Sequence, residues 1–252
     1  DYHRGMEGRR YLKQFFMDLI EKKRASDDED VFAHFCKEKT EHGEYYADED
    51  IADHMVFLML AAHDTTTSAS TMAAYYLAHD HGLQNQISAE VASWPKELSF
   101  ETVFHQTNGL ICVFYETIRL HPPVPIFLRR TIRECEIGGV QVPADTMVCV
   151  PGNYVYRLPD WWREPDAFDP SRFSDEVAEH RKHNFMWIPF GGGAHKCIGM
   201  HFARMLFLLT FREILGNYRI EYAKDDYFPA KLQHFPFTRP LDNLPVRLVA
   251  RN

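Results

Sequence analysis

The sequence predicts a mainly α-helical fold with small antiparallel β-sheets. Three observations support this class. Apolar residues recur at helical spacing through the first half of the chain. Between Arg129 and Val150, short β-prone runs alternate with Gly-Gly and Pro-Ala-Asp turns. Helical spacing then returns between Gly199 and Asn217. With 252 residues and 45% hydrophobic content, the chain can bury a sizeable core.

The first half of the chain is predicted to hold five helices. They cover Arg9–Lys23, Val31–Glu38, Asp48–His79, Gln84–Trp94 and Glu101–Leu120. The third contains no Gly or Pro and begins with an acidic turn, so we expect a long, largely buried helix. The fifth ends at "HPPVP", because proline lacks an amide donor and disfavours helix before it.

The second half is predicted to be less regular. The segment 157–189 is rich in Pro, Trp and Asp and has little periodicity, which is typical of a long ordered meander with a functional role. The following helix, 199–217, has a predicted buried face of Phe202, Met205, Leu206, Leu209 and Phe211. The end, "DNLPVRLVARN", is predicted to be a strand.

Charge and cysteine content exclude several classes of protein. A formal net charge of −8 argues against a nucleic-acid binder. Five cysteines without a CxxC pair indicate neither a zinc knuckle nor a secreted disulfide framework, and favour a reducing compartment. The apolar run near Met55–Ala62 is too short to cross a bilayer, and no signal peptide is visible. We therefore expect a soluble, cytoplasmic protein. The chain starts at Asp1 within a helical pattern, so we expect that it is a fragment. Whether a membrane anchor precedes Asp1 is left open.

The segment "FGGGAHKCIG", residues 190–199, places one cysteine at the end of a glycine-rich turn. A phosphate loop would end in Gly-Lys-Ser/Thr, which this segment lacks. A zinc site would need further ligands at short spacing. A nucleophilic Cys197 with His195 as its base remains an alternative. A thiolate ligand to haem iron needs only one cysteine, because the porphyrin supplies four ligands.

This segment resembles the haem-binding signature of the cytochrome P-450 superfamily, Phe-x-x-Gly-x-Arg/His-x-Cys-x-Gly. Its five positions are filled by Phe190, Gly193, His195, Cys197 and Gly199. The resemblance implies haem b (iron protoporphyrin IX), with Cys197 as its axial metal ligand and Phe190 packed near the sulfur. It implies that His195 binds a haem propionate in place of the commoner Arg. Glycines including Gly191 free backbone amides to hydrogen-bond the sulfur.

Two motifs resemble the family's buried ion-pair network. In "YETIRLHPP", Glu116 and Arg119 are three residues apart and share one helix face. Alone, such a pair is usually a surface salt bridge. It matches the family's Glu-x-x-Arg motif, however, and "FDPSRF" supplies Arg172 in the place of the meander's Arg. The resemblance implies that these three residues lock the meander beneath the haem.

The motif "AAHDTTTS", residues 61–68, lies in the predicted long helix. Threonines in mid-helix often bond only the carbonyl four residues before them. The motif resembles the family's Ala/Gly-Gly-x-Asp/Glu-Thr, which implies that Asp64 and Thr65 are catalytic and deliver protons during oxygen activation. His63 is a candidate to line the same pocket. The other histidines without ligand spacing are expected at the surface.

The pair of arginines in "FLRR" offers a second candidate for a haem propionate. Arg129 falls where relatives keep such an arginine, Arg130 is the alternative, and two exposed strand-edge arginines are the simpler interpretation. Among the other cysteines, Cys112 and Cys149 are each expected to pack in the core, on a helix and a strand respectively.

The resemblance implies a haem-thiolate monooxygenase that inserts one oxygen atom of O2 into a hydrophobic organic substrate, by hydroxylation or oxidative demethylation. A ferredoxin or flavoprotein reductase would supply electrons, docking near Arg181, Lys182 and Lys196. His195, "WIPFGGG" and "RLHPP" are most similar to bacterial members related to sterol 14α-demethylase, although those usually carry His where Asp64 stands.

Residues 1–252 correspond to the C-terminal haem-binding part of a single P-450 domain. Its parts are a distal helix at 48–79, the Glu-x-x-Arg helix at 101–120, the meander at 157–189, the cysteine loop at 190–199 and a proximal helix at 199–217. The family's N-terminal sheet and substrate-entry helices have no counterpart, which leaves open whether this chain is active alone.

Two alternative functions follow from the same motifs. One is a peroxide-using or rearranging haem-thiolate enzyme that needs no electron donor, against which the pair Asp64 and Thr65 argues. The other is a noncatalytic haem-binding fragment or interaction module, which the absent half favours.

Overall fold

The described residues form α-helices and four small antiparallel β-sheets, in agreement with the predicted class of a mainly α-helical fold with small antiparallel sheets. A computed structural model describes residues 2–99, 101, 109–234 and 236–251. The chain divides into two compact units, 1–64 and 65–252. None of the helices in the described ranges combines the length and apolar character that a membrane span requires.

The first unit contains three helices and the start of a fourth. These are α1 (Tyr2–Met17), α2 (Ile20–Arg24), α3 (Val31–Lys37) and α4 (Asp48–His79). Its core consists of Phe16, Ile20, Phe32, Cys36, Ile51 and Ala52.

The predicted single helix Arg9–Lys23 is wrong in one respect, because the chain forms α1 and α2 with a break between them. At the break, the Leu19 amide donates to the Phe16 carbonyl at 3.0 Å, a tighter turn than the α-helix makes. The break lets Phe16 and Ile20 enter the same small core, where Phe16 meets Phe32 edge-on at 5.2 Å.

Helix α4 covers the residues predicted for it, but its burial is uneven. Its start contributes Ile51 and Ala52 to the core of the first unit. The exposed apolar residues Phe57, Met59 and Leu60 follow. From Ser68 onward the helix is again largely buried. The prediction of a largely buried helix is therefore wrong for its middle turns, because no described element covers their apolar face.

The second unit holds the rest of α4 together with α5 (His81–Ala92), α6 (Gly109–Leu120), α7 (Gly152–Val155) and α8 (Met200–Asn217). Helix α5 starts earlier than predicted because Asp80 caps it, accepting the Leu83 amide at 2.9 Å. Of the predicted helix Glu101–Leu120, residues 102–108 lie outside the described part of the chain.

Helix α8 packs on α5 and α6 through Phe207, Leu208, Phe211 and Leu215, all of which are buried. The predicted face is correct for Phe211 but wrong for Phe202, Leu206 and Leu209, which are exposed. The helix carries apolar residues on more than one side, so spacing alone does not identify the buried one.

Within the described ranges, eight strands form four two-stranded antiparallel sheets. They are β1 (Ile126–Arg130), β2 (Cys135–Ile137), β3 (Val140–Val142), β4 (Met147–Pro151), β5 (Tyr218–Tyr222), β6 (Leu232–Gln233), β7 (Arg239–Pro240) and β8 (Val246–Ala250). The pairs are β1 with β4, β2 with β3, β5 with β8, and β6 with β7. Gly138 and Gly139, at φ +58° and +82°, form the tight turn between β2 and β3.

The two cysteines expected in the core differ. Cys112 on α6 is buried, as predicted. Cys149 on β4 is exposed, so its prediction is wrong. Its partner in register, Leu128, is exposed as well. This face of the β1–β4 sheet has no covering element among the described residues.

Candidate active site: the cysteine loop and the Glu116 network

The cysteine loop, residues 190–199, is closed by its own backbone. The Cys197 amide donates to the Phe190 carbonyl at 2.8 Å, and the Lys196 amide donates to the Gly193 carbonyl at 3.1 Å. Gly191 and Gly193 have φ of +73° and +66°, in the left-handed region where a side chain is strained. The glycines of the motif therefore allow the chain to fold back so that Cys197 lies beside the start of the loop.

The thiol of Cys197 is free and exposed, three residues before α8 begins. Cys197 thus lies near the amino end of an 18-residue helix, a position that favours negative charge. A Cβ at Gly199 would lie 3.8 Å from the Cys197 sulfur. Glycine at 199 thus keeps one side of the sulfur free of a side chain.

The donor set at this loop fits haem. Within the described ranges, no group of three or more His, Cys, Asp or Glu side chains is arranged to hold a metal ion. A porphyrin brings four ligands of its own, so a single exposed thiolate is sufficient for its iron. Phe190 packs on the core beside Phe114, with ring centroids 6.4 Å apart, and anchors the start of the loop.

Glu116 and Arg119 on α6 form a fully buried ion pair. The Arg119 Nε and Nη2 donate to the two Glu116 carboxylate oxygens at 2.6 and 2.8 Å. The third nitrogen, Nη1, donates to the carbonyls of Tyr156 and Pro165 at 2.8 and 2.7 Å. Arg119 thereby ties α6 to the start of the meander, 157–189.

Arg172 joins the same cluster from the meander. Its Nε lies 3.4 Å from Glu116 Oε1, and its Nη1 donates to Glu179 Oε2 at 3.0 Å. The Asp169 amide also donates to Glu116 Oε1, at 2.9 Å. The structure therefore brings together the three predicted residues and adds Glu179. We call these four side chains, Glu116, Arg119, Arg172 and Glu179, the Glu116 network.

Comparison with known proteins identifies the chain at this point. The model of the family described as Cytochrome P450 matches residues 2–244. The chain belongs to the cytochrome P450 family.

Relatives of known sequence and structure agree with this assignment. The chain is 35% identical over 249 residues to cytochrome P450 136 of Mycobacterium tuberculosis, covering 98% of this chain and 50% of that protein. It is 33% identical over 223 residues to cytochrome P450 3A29 of Sus scrofa, covering 86% and 43%. A cyanobacterial cytochrome P450 with bound retinoic acid superposes at a TM-score of 0.88 and 25% identity, covering 98% and 57%. The chain spans about half the length of these relatives.

The three candidates for a haem propionate, Arg129, Arg130 and His195, are all exposed. Arg130 pairs with Asp145 at 2.5 Å, whereas Arg129 has no carboxylate partner among the described residues. His195 ends the short 3-10 helix Gly193–His195. Within the described chain, neither Arg129 nor His195 hydrogen-bonds another predicted site residue. Arg129 is the better candidate of the two arginines because its charge is unneutralised.

The predicted catalytic pair lies in the middle of α4. Asp64 and Thr65 are both partly buried. The His63 Nδ1 lies 2.9 Å from Asp64 Oδ1, and the His63 side chain is exposed. The Asp64 carboxylate thus has a titratable neighbour within hydrogen-bonding distance.

Two residues that contact the predicted ion pairs, Glu179 and Trp162, were not identified from the sequence. Glu179 is 5% exposed; burial raises the pKa of its carboxyl, but hydrogen bonds from the Arg163 amide and Arg172 outweigh burial and hold that pKa below its usual range. Trp162 lies over the Arg119 guanidinium at 5.0 Å. Two buried arginines with one known carboxylate were a signal that a second acid was needed.

Proposed function

We propose that this chain forms the haem-binding part of a haem-thiolate monooxygenase. One observation carries the proposal: Cys197, a free and exposed cysteine, ends a closed glycine loop that carries the family signature. The reaction would insert one atom of O2 into a C–H bond of a hydrophobic organic substrate. The other atom leaves as water, with two electrons from a redox partner and two protons.

Cys197 would be the only protein ligand to the haem iron. Haem b, when bound, supplies the redox-active iron that activates dioxygen. The chain's contribution is to hold the sulfur there, because the hydrogen bond from the Cys197 amide to the Phe190 carbonyl fixes the loop backbone three residues before α8 begins. Arg129 and His195 would neutralise the propionates, since both are exposed cationic or protonatable groups.

Asp64 and Thr65 would deliver the protons. A carboxylate and a neighbouring hydroxyl on one helix can accept protons from water and donate them at the reaction centre. The exposed His63 beside Asp64 offers a route for protons from solvent. This pair favours the monooxygenase over the peroxide-using or rearranging alternative, because that alternative needs no delivery of protons to dioxygen.

The electron donor would dock near the cysteine loop. Of the three basic side chains predicted to attract it, two are already paired with carboxylates. Arg181 pairs with Asp175 at 3.1 Å, and Lys182 lies 3.3 Å from Glu179. Lys196 is exposed and has no carboxylate partner within the described ranges. Of the three predicted residues, Lys196 is therefore the one whose charge is free to attract an acidic ferredoxin or flavoprotein.

The test is the reduced-CO difference spectrum of protein expressed with haem. We expect a Soret band at the thiolate position, lost in Cys197→Ser and retained in Cys149→Ser, a control at an exposed cysteine outside the loop. Failure to take up haem would support the alternative of an interaction module without haem. Turnover with peroxide but not with a reductase would support the peroxide-using one.

The class of substrate can be approached by the same spectroscopy. Hydrophobic ligands that enter a haem pocket change the Soret spectrum by displacing water. The cyanobacterial relative is described with bound retinoic acid, so retinoic acid is the first ligand to titrate. The similarity to sterol-demethylase-like members stays a prediction, for which a sterol is the matching ligand.

A further inference from the structure

Glu179 makes three contacts that the Glu-x-x-Arg motif does not include. Its Oε2 accepts from Arg172 at 3.0 Å, and its Oε1 accepts from the Arg163 amide at 2.7 Å and from Lys182 at 3.3 Å. The side chain is almost fully buried. Both carboxylate oxygens of Glu179 thus accept hydrogen bonds, from two residues that precede it in the chain and from one that follows it.

Charge balance gives Glu179 a distinct role. Arg119 and Arg172 are buried to within 1% of full burial, and Glu116 neutralises only one of them. A buried charge without a partner is strongly destabilising. Glu179 supplies the second negative charge, so the Glu116 network is neutral only when Glu179 is ionised.

Two strained residues of the meander lie at contacts of the Glu116 network. Ala178, immediately before Glu179, is left-handed at φ +42°. Glu164, whose carbonyl accepts from Arg172 at 2.9 Å, is left-handed at φ +43°. Non-glycine residues keep such conformations only where surrounding contacts enforce them. Arg172 contacts Glu164 directly, and Glu179, its ion-pair partner, is the residue that follows Ala178.

The segment after Glu179 leads to the cysteine loop. His180 stacks on Phe173 with ring centroids 4.9 Å apart, and Trp187 lies 4.8 Å from the same ring. Trp187 is three residues before Phe190, whose carbonyl accepts the Cys197 amide. Ring contacts therefore link His180, which directly follows Glu179, through Phe173 to Trp187, and three residues of chain separate Trp187 from the residue that closes the loop.

We infer that Glu179 is a positioning residue, which fixes Arg172 and the meander and so holds the cysteine loop in the conformation that presents the Cys197 sulfur. This inference rests on the proposed function for its haem-dependent part. Its backbone part does not depend on haem, because the contacts described above are all within the chain.

The test compares Glu179→Gln with Glu176→Gln. Glutamine keeps the shape but loses the charge, and its amide nitrogen cannot accept a hydrogen bond. Glu176 is an exposed carboxylate three residues away and is the matched control. Amide hydrogen exchange on the haem-free and haem-loaded chain would be followed over 157–189 and at Cys197. Since hydrogen bonds to charged groups are strong, we expect exchange about 10- to 100-fold faster in Glu179→Gln only.

The haem-loaded variants add a spectroscopic readout. We expect Glu179→Gln to lose part of the thiolate band in the reduced-CO spectrum, with Glu179→Asp intermediate because it keeps the charge at shorter reach. If Glu179→Gln does not fold, Glu179→Asp is compared with Glu176→Gln instead.

Exchange in the Glu179 variants equal to that of Glu176→Gln would overturn the inference. Faster exchange in 157–189 without any change at Cys197 would overturn the link to the loop. A wild-type protein without a thiolate band would refute the proposed function and leave the exchange result standing.

Discussion

Arg119 donates two hydrogen bonds to Glu116, at 2.6 and 2.8 Å, and neither side chain is exposed to solvent. The two residues are three apart on α6, so the helix itself sets their spacing. In the sequence this pair is indistinguishable from many surface salt bridges. Burial changes its energetic meaning, because either charge left alone would have no water to solvate it.

Removing one partner of this pair should therefore destabilise the protein strongly. We expect Arg119→Met to lower the free energy of unfolding by about 3 to 5 kcal/mol, the range for breaking a buried ion pair. Urea unfolding followed by circular dichroism measures it. Arg163→Met is the matched control, since Arg163 is 71% exposed in its pair with Asp169 and such pairs contribute about 1 kcal/mol or less. Equal losses in both variants would contradict this account.

Glycine at 191 should be needed for its backbone conformation. Gly191→Ala places a Cβ at φ +73°, 3.4 Å from the His195 carbonyl oxygen, so we expect a loss of roughly 1 to 3 kcal/mol in stability and weaker haem retention. Gly216→Ala on α8 meets no atom within 4 Å and should be neutral or stabilising by about 0.5 to 1 kcal/mol. Thermal unfolding of both variants measures these changes in stability. A Gly191→Ala variant more stable than the wild type would show that the loop adopts another conformation.

His121 should make the protein less stable in mild acid. Burial lowers the pKa of His121 to about 3, and its Nε2 lies 2.8 Å from the Tyr76 hydroxyl. The unfolded chain takes up a proton at this residue below about pH 6.5, whereas the folded chain does not. Protonation thus favours the unfolded state, and stability falls as pH drops from about 6.5 toward 3, by at most about 1.4 kcal/mol per pH unit.

The measurement is urea unfolding of wild type and His121→Gln at pH 7.5, 6.5 and 5.5. Glutamine keeps a hydrogen-bonding group but does not titrate, so the wild type should lose more stability than the variant as the pH falls. His42→Gln, at an exposed histidine, is the control and should follow the wild type. Parallel curves for wild type and His121→Gln would show that His121 is not the group responsible.

Thr65 should matter for turnover. If it delivers protons, Thr65→Ala should reduce the rate of substrate oxidation by about 10²-fold, the lower end for general acid–base catalysis, and should lower the product formed per electron consumed. Thr65→Ser retains the hydroxyl and should keep most activity. Thr67→Ala is the control, because it changes an exposed threonine two residues away, and it should keep the activity of the wild type. Product formed per reductant consumed, with a reductase as donor, separates these variants; normal coupling in Thr65→Ala would remove Thr65 from the mechanism.

Lys196 should affect the rate of reduction. A charge reversal, Lys196→Glu, should slow electron transfer from an acidic donor at low salt, and the difference from wild type should shrink as ionic strength rises. Lys231→Glu, at another exposed lysine, controls for net charge. Stopped-flow reduction rates measure the effect. Rates for Lys196→Glu that match Lys231→Glu at every salt concentration would place the docking surface elsewhere.

The sequence was sufficient for the parts of the fold that depend on local pattern. The acidic start and the absence of Gly and Pro predicted α4 from Asp48 to His79, and the glycine turn predicted the β2–β3 hairpin. It failed where burial depends on what packs nearby. Cys149 has the pattern of a core strand but is exposed, and the apolar residues Phe202 and Leu206 of α8 lie away from its buried side.

The site shows the same division. The spacing of Glu116 and Arg119 was readable because one helix turn sets it. Glu179 was not, because it lies in an irregular segment where no period relates it to Arg172, seven residues earlier. Only the need to neutralise a second buried guanidinium pointed to another carboxylate, and several acids in the meander could have filled that role.

The uneven exposure of the five cysteines allows haem loading to be counted chemically. Cys36 and Cys112 are buried, Cys135 is partly accessible, and Cys149 and Cys197 are open to solvent. A maleimide reagent on the native chain should label Cys149 and Cys197 fastest. If the porphyrin covers Cys197, the labelling stoichiometry falls by one thiol in proportion to cofactor bound, which gives an occupancy assay that needs neither substrate nor reductant.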